Sequence, residues 1–272
     1  MSKSSIPNAL SIAGSDSGGG AGVQADLKTL AALEVYGASV ITAVTAQNTL
    51  GVTEIHDVPV SVIKAQIQAV IADIAVDVIK IGMLSRAEVI EVIAGELSLL
   101  KQNKKVHHIV LDPVMVATSG DSLLAENAMV ALRKQLIPMA TVLTPNLPEA
   151  SELVGKAIAT KDDMNAAVPL LRELGVKNVL LKGGHLDNDT SADLFITPDS
   201  TRWLSSKRVK TNNTHGTGCT LSSAIAAYLA KGEMVENAVV KAKAYVQAAI
   251  ENADRLSVGT GHGPVHHFHE WY

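Results

Sequence analysis

The chain of 272 residues contains one cysteine, two phenylalanines, two tryptophans and four tyrosines, and its charges nearly cancel at −4. A single cysteine, Cys219, cannot form an intramolecular disulfide, so nothing requires an oxidising compartment. So few aromatics build no base-stacking platform, and 23 Lys+Arg against 27 Asp+Glu build no cationic face for a polyanion. Nucleic acid is therefore not an expected partner. No apolar run reaches membrane-spanning length, because stretches such as Leu221–Ala230 are interrupted by Ser and Tyr. The first twenty residues hold Ser, Asn, Asp and a glycine cluster rather than a basic start with an apolar core, so no secretory signal is expected. Together these absences predict a soluble chain that makes no membrane contact and works in the cytoplasm.

Hydrophobic residues make up 47% of the chain and charged residues 18%, far from a disordered composition. No Pro/Ser/Gly-rich linker or shift in composition divides it, which predicts one domain over residues 1–272. Short apolar strands alternate with helical periods. Strands are expected at Ala9–Ala13, Ser39–Val44, Val78–Ile81, His108–Leu111, Val142–Thr144 and Val179–Leu181. Between them, helical spacing runs through Gln24–Leu33, Val60–Ile74, Ser85–Leu100, Asn127–Leu136, Leu147–Val154 and Lys161–Leu174. Strands with no polar alternation are covered on both faces, so the expected fold is an α/β three-layer sandwich around a mostly parallel sheet. Asp193–Ile196 and Trp203–Ser205 flank Thr-Pro-Asp-Ser and read as a hairpin that adds an antiparallel edge. Two long helices, Cys219–Lys231 and Val235–Asn252, follow.

Ligands of such sheets bind beyond the carboxyl ends of the strands, which directs attention to the segments just after each one. Gly20-Ala-Gly-Val-Gln-Ala25 matches the dinucleotide pattern G-x-G-x-x-A, but Ser39–Val44 runs into Thr-Ala-Gln with no acidic residue for a ribose. A nicotinamide-dependent oxidoreductase therefore rests on a weak match, and no P-loop pattern occurs at all. The adjacent glycines also suit a flexible lid. Asn213-Thr-His-Gly-Thr-Gly-Cys-Thr220 precedes an apolar helix, and its glycines let backbone N–H groups converge on an anion such as a transferring phosphoryl group. Cys219 at that helix start is expected to have a lowered pKa and to take a proton from an alcohol, although a lone cysteine is ordinarily an inert small hydrophobe.

Taken together, the Gly216-Thr-Gly-Cys219 turn, Ala13-Gly-Ser-Asp-Ser-Gly-Gly-Gly-Ala-Gly-Val-Gln-Ala-Asp26, Ala46-Gln-Asn-Thr49, Lys80-Ile-Gly-Met83, Asp112-Pro-Val-Met115, Thr144-Pro-Asn-Leu-Pro-Glu149 and Lys182-Gly-Gly-His185 form an ordered set. The set closely resembles the hydroxymethylpyrimidine/phosphomethylpyrimidine kinases of thiamine biosynthesis, within the ribokinase-like superfamily. The resemblance runs from about Ala9 to the tail Gly261–His269. It implies ATP and Mg²⁺, a small pyrimidine alcohol as substrate, two successive phosphorylations and a homodimer. Most of the superfamily carries Asp where this chain has Cys219, and cysteine there marks the pyrimidine kinases and some pyridoxal kinases.

On this resemblance Gly216, Thr217, Gly218, Cys219 and Lys182 carry catalysis, and Asn146, Thr214 and Lys182 join the glycines of the turn in holding ATP. Gln47 suits an aminopyrimidine, since one carboxamide both accepts from an exocyclic amine and donates to a ring nitrogen; otherwise it reads as a loop residue bonded to backbone. Asp26 is expected to accept from the substrate or simply to complement a helix dipole. Gly14, Ala21, Met83 and Val110 are implied as pocket wall, the last two reading otherwise as plain core. Glu149, with Asp112 as a weaker candidate, suits a hydrated Mg²⁺, while Asn146 and Glu149 equally form a capping box. His262, His266, His267 and His269 fit neither a helical metal pair nor a zinc finger, so no zinc site is expected. The alternatives left are a pyridoxal kinase on the same scaffold and a non-catalytic vitamin-binding protein.

Overall fold

A computed structural model describes residues 5–103, 106–115, 126–184 and 189–272. His185, which closes one of the motifs above, lies outside the described residues. The elements follow the chain as β1 (Asn8–Asp16), α1 (Gly22–Ala32), β2 (Tyr36–Asn48), β3 (Gly51–Asp57), α2 (Val60–Asp73), β4 (Val78–Ile81), α3 (Ala87–Gln102), β5 (His108–Leu111) and α4 (Glu126–Ala131). After a π-helical turn at Leu132–Leu136 come β6 (Val142–Leu143), α5 (Leu147–Val154), α6 (Lys161–Arg172), β7 (Asn178–Leu181), β8 (Thr190–Ile196), β9 (Thr201–Lys207), α7 (Thr217–Ala230) and α8 (Val235–Glu251).

The described strands form one sheet in the order β3-β2-β1-β4-β5-β6-β7-β8-β9. From β2 to β7 neighbouring strands are parallel, and β8–β9 is the expected antiparallel hairpin. The opposite edge differs from expectation. β2 runs on to Asn48 and folds back antiparallel into β3, whose sequence Gly-Val-Thr-Glu-Ile-His-Asp carries too little apolar patterning to read as a strand. Gln47 thus lies inside a hairpin strand rather than in a loop after one.

Strand residues alternate between two cores because successive side chains leave opposite faces of the sheet. Leu10, Ile12, Ile79, Ile81, Ile109, Leu111 and Leu181 pack toward α2, α3, α5 and α6, with Ile63, Ile93, Leu153 and Met164. Ala9, Val78, Val110, Val142 and Leu180 pack toward α1, α7 and α8, with Leu30, Ile225, Val239 and Val246. The expectation that Val110 lines the pocket is corrected here: as the third residue of β5 it packs in the core on the α7 side of the sheet and is fully buried.

The same inner layer holds a buried ion pair. Lys80 Nζ on β4 donates to both carboxylate oxygens of Asp26 on α1 at 2.8 and 2.9 Å, and both residues are fully buried. Ser11 of β1 and Ser223 of α7 donate to the same carboxylate at 2.6 and 2.7 Å, so four elements are tied at one point. Burial alone would depress the Lys80 pKa, but Asp26, with Cys219 and Asp112, together outweigh it and hold the ammonium above its ordinary value. Asp26 is therefore structural in this state rather than exposed to a substrate, which corrects its expected role. Lys80→Met leaves a carboxylate buried without its cation, and urea melts are expected to show a loss of about 3–5 kcal/mol. The double variant Asp26→Asn/Lys80→Met should lose less than Lys80→Met alone; an equal or larger loss would contradict the pairing.

Candidate active site

Among the described residues the six parallel strands end on one side of the sheet, and the segments that follow them line a cleft of about 1240 Å³. Every strand-end segment named from the sequence contributes: Gly14, Gln47, Met83, Asp112, Asn146, Lys182 and the 214–219 turn all line it. Lys207 at the end of β9, Arg208 and Val209 after it, and Gln247 and Ile250 of α8 also line the cleft, a wall that the sequence did not single out.

At the start of α7, Gly216 is the N-cap residue with φ +79°, and a Cβ there would stand 1.8 Å from the Gly20 carbonyl oxygen. Only glycine fits both the left-handed backbone and the contact. Thr217, Gly218 and Cys219 form the first turn, where helix N–H groups have no intrahelical acceptor and the helix dipole favours negative charge. A Cβ on Gly218 would lie 3.3 Å from Lys182 Nζ and 3.5 Å from Asp112 Oδ2, so this turn faces the charged cluster at close range.

Lys182 follows β7, and its ammonium donates to Asp112 Oδ1 at 3.0 Å and stands 3.9 Å from Glu149 Oε2. Burial would lower the Lys182 pKa, but Asp112 and Glu149 raise it above the ordinary lysine value, so it remains a cation. Asp112 also accepts from Thr144 Oγ1 at 3.1 Å and Ser222 Oγ at 3.4 Å. The expected capping box is present: Asn146 Oδ1 accepts from Glu149 N–H at 2.8 Å, and Glu149 Oε2 accepts from Asn146 N–H at 2.7 Å. Burial, reinforced by Asp112, pushes the Glu149 carboxyl up to about 7 against the pull of Lys182.

The expected acidity of Cys219 is corrected. Burial drives its thiol up to about 11, with the Asp26 and Asp112 charges adding to the shift while Lys80 and the Gly22 amide oppose it. The helix-start field loses to desolvation and two neighbouring carboxylates. On the other side, Gly14, Ala21 and Met83 line the cleft beside Gln47, whose Oε1 accepts from Thr45 Oγ1 at 3.1 Å. Thr214 lines it as well.

Two site residues were missed. Asp16, at the end of β1, accepts from the N–H groups of Gly18, Gly20 and Ala21, and lies 2.8 Å from His215 Nε2. An Asp just before a glycine run is the signal that could have found it, since a carboxylate is the natural collector of loop amides. Of the tail histidines, His266 and His267 are buried while His262 is exposed; His267 Nε2 lies 3.1 Å from Thr220 Oγ1, and Tyr245 OH donates to the His267 carbonyl at 2.5 Å.

The loss of the Glu149 proton links stability to pH. Between its ordinary value of 4.5 and about 7 the native protein holds a proton that the unfolded chain has released, so stability falls as pH rises through that window. Glu149→Gln should remove that part of the slope in a series of thermal melts; an unchanged slope would contradict the assignment.

A family model described as phosphomethylpyrimidine kinase matches residues 16–266. A hydroxymethylpyrimidine/phosphomethylpyrimidine kinase of Rhizobium meliloti is 55% identical over 265 residues, covering 97% of this chain and 98% of that protein. The protein of the same name in Escherichia coli is 45% identical, with 97% and 98% covered. Among solved structures, a pyridoxal kinase from Staphylococcus aureus in complex with AMP-PCP and pyridoxal superposes with TM-score 0.88 at 34% identity, covering 98% of this chain and 96% of that one. A phosphomethylpyrimidine kinase from Clostridium difficile superposes with TM-score 0.78 at 45% identity, covering 90% and 100%.

Proposed function

This chain belongs to the phosphomethylpyrimidine kinase family, and from that premise we infer that it transfers the terminal phosphoryl group of ATP to the hydroxymethyl group of 4-amino-5-hydroxymethyl-2-methylpyrimidine and then phosphorylates the monophosphate, in thiamine biosynthesis. The observation that carries the reading is the approach of the Gly216–Cys219 turn to the Lys182 ammonium, with Gln47 across the same cleft.

In this reading the turn amides and Lys182 neutralise the phosphoryl oxygens in transfer, where charge spreads over the equatorial oxygens and positioning dominates. Asn146 and Thr214 flank the ATP phosphates, and Gln47 holds the aminopyrimidine edge, with Gly14, Ala21 and Met83 forming the wall around it. Cys219 sits at the third position of the α7 turn and holds the acceptor hydroxyl there. With its thiol pushed up to about 11, catalysis relies more on alignment than on a thiolate formed in advance.

The donor set suits magnesium: Glu149 and Asp112 offer hard carboxylate oxygens, and a carboxyl raised to about 7 by burial gains from a nearby dication. When bound there, Mg²⁺ neutralises phosphate charge. The chain's own part is to keep both carboxylates within reach of the Lys182 ammonium.

The chain is further proposed to act in the cytoplasm as a homodimer. No helix among the described residues is long and apolar enough to cross a membrane. A pyridoxal kinase is the second reading, favoured by the higher TM-score to the Staphylococcus aureus enzyme, 0.88 against 0.78 for the Clostridium difficile one. A non-catalytic vitamin binder has no use for the lysine, carboxylates and glycine turn gathered here.

Mass analysis of products from the aminopyrimidine and from pyridoxal, assayed side by side with ATP and Mg²⁺, tests the substrate. Mono- and diphosphate of the pyrimidine are expected; turnover of pyridoxal alone overturns the reading. Cys219→Ala should lower kcat by about 10²-fold or more while leaving KM nearly unchanged. Unchanged turnover would remove Cys219 from the reaction. Gln47→Ala should raise KM for the pyrimidine with little effect on that for ATP, and equal effects on both would contradict its placement.

A further inference from the structure

Asp16 and His215 are separated by 199 residues in sequence and meet between the two halves of the cleft, both buried. Asp16 Oδ1 accepts from Gly18 N–H at 2.8 Å, and Oδ2 accepts from Gly20 N–H at 3.1 Å and Ala21 N–H at 2.8 Å. That same Oδ2 lies 2.8 Å from His215 Nε2. Burial works against ionisation of Asp16, but His215 and the loop amides outweigh it and hold the carboxyl below its ordinary value. An ionised carboxylate only accepts, so His215 Nε2 carries the proton and donates.

His215 immediately precedes Gly216, the N-cap of the phosphate-facing turn. Its own backbone is fixed by the tail: His215 N–H donates to the Gly263 carbonyl at 3.0 Å, and its carbonyl accepts from Val265 N–H at 3.2 Å. The tail also grips the β2–β3 turn, where His262 N–H donates to the Thr49 carbonyl at 2.9 Å. The glycine loop packs closely on the turn. A Cβ on Gly20 would stand 2.4 Å from His215 Cδ2, and one on Gly216 would stand 1.8 Å from the Gly20 oxygen. The Gly20 carbonyl thus lies against Gly216 with the His215 ring packed on Gly20, and the carboxylate–imidazole bond ties loop to turn across this contact.

We propose that Asp16 and His215 are a positioning pair that holds the pyrimidine-facing glycine loop in register with the phosphate-facing turn, so that acceptor hydroxyl and phosphoryl group meet in line. This rests on the function inferred above, because the two halves must serve acceptor and donor for their register to matter. Both side chains belong to the cleft wall, and in this proposal they act through Ala21 on one side and Gly216–Cys219 on the other. A displacement near 1 Å at a reacting centre costs about 10²-fold in rate, which is what a change in the angle between loop and turn would produce.

The test is a double-mutant cycle on His215→Phe, which keeps the ring's bulk without its nitrogens, and Asp16→Asn, which keeps the side chain's size without its charge. Kinetics with the aminopyrimidine, ATP titrations and thermal melts are read for each. Each single variant should lose about 10-fold to 10²-fold in kcat with KM for ATP nearly unchanged, and the double should lose no more than the worse single. His215→Gln, whose amide nitrogen reaches toward the place of ring Nε2, should recover most of the kcat lost in His215→Phe. Multiplicative losses, a matching rise in KM for ATP, or losses that follow melting temperature with no recovery in His215→Gln would overturn the proposal. A variant that does not melt cooperatively is set aside, and the remaining single variant with His215→Gln decides by the same criteria. The wild-type arm keeps the two readings apart: if wild type phosphorylates only pyridoxal, the substrate assignment falls, and the cycle is then read on pyridoxal.

Discussion

Lys182 touches Asp112 at 3.0 Å and approaches Glu149 at 3.9 Å, with the open backbone of Gly218 directly above. Two carboxylates beside one ammonium leave the cluster net negative, and burial answers by pushing the Glu149 carboxyl up to about 7. The α7 start adds positive potential just where that cluster meets the cleft. In the proposed function a phosphoryl group with a dication would balance such an arrangement, the anion at the turn and ammonium and the cation at the carboxylates. The rest of the fold serves to bring these groups together, because a mostly parallel sheet with an apolar core on each face gathers the segments that follow its strands at one end.

Much of this was legible in the sequence, for identifiable reasons. β4, β5 and α5 match their expected spans because each is bounded by turn residues and carries an uninterrupted apolar signal. The Asn146–Glu149 capping box was readable because it depends on four consecutive residues only. Strand β3 was not readable, since a half-exposed edge strand with Thr, Glu and His offers no hydrophobic period. Asn127–Leu136, expected as one helix, is instead α4 followed by a π-helical turn, a change of hydrogen-bond register that side-chain periodicity does not encode.

The site residues divide along the same line. Gly216, Gly218, Lys182 and Gln47 lie in the cleft as expected because a glycine turn and a strand end act locally. Asp26, Val110 and the acidity of Cys219 were misread because each depends on what lies behind the residue. Asp26 is held by Lys80 from a strand 54 positions away, Val110 turns to the α7 side of the sheet, and desolvation with two nearby carboxylates raises the half-buried Cys219 thiol. The Asp16–His215 contact is the extreme case, joining the first strand to the last third of the chain through one bond.

The family relationship and the geometry leave one physical claim at the centre, that the phosphoryl group passes between the α7 start and Lys182. A crystal structure with a non-hydrolysable ATP analogue and the aminopyrimidine bound tests it most directly. Its terminal phosphate oxygens are expected at hydrogen-bond distance, about 3 Å, from the Gly218 or Cys219 amide and from Lys182 Nζ. A terminal phosphate lodged elsewhere, with that corner filled by solvent, would contradict it.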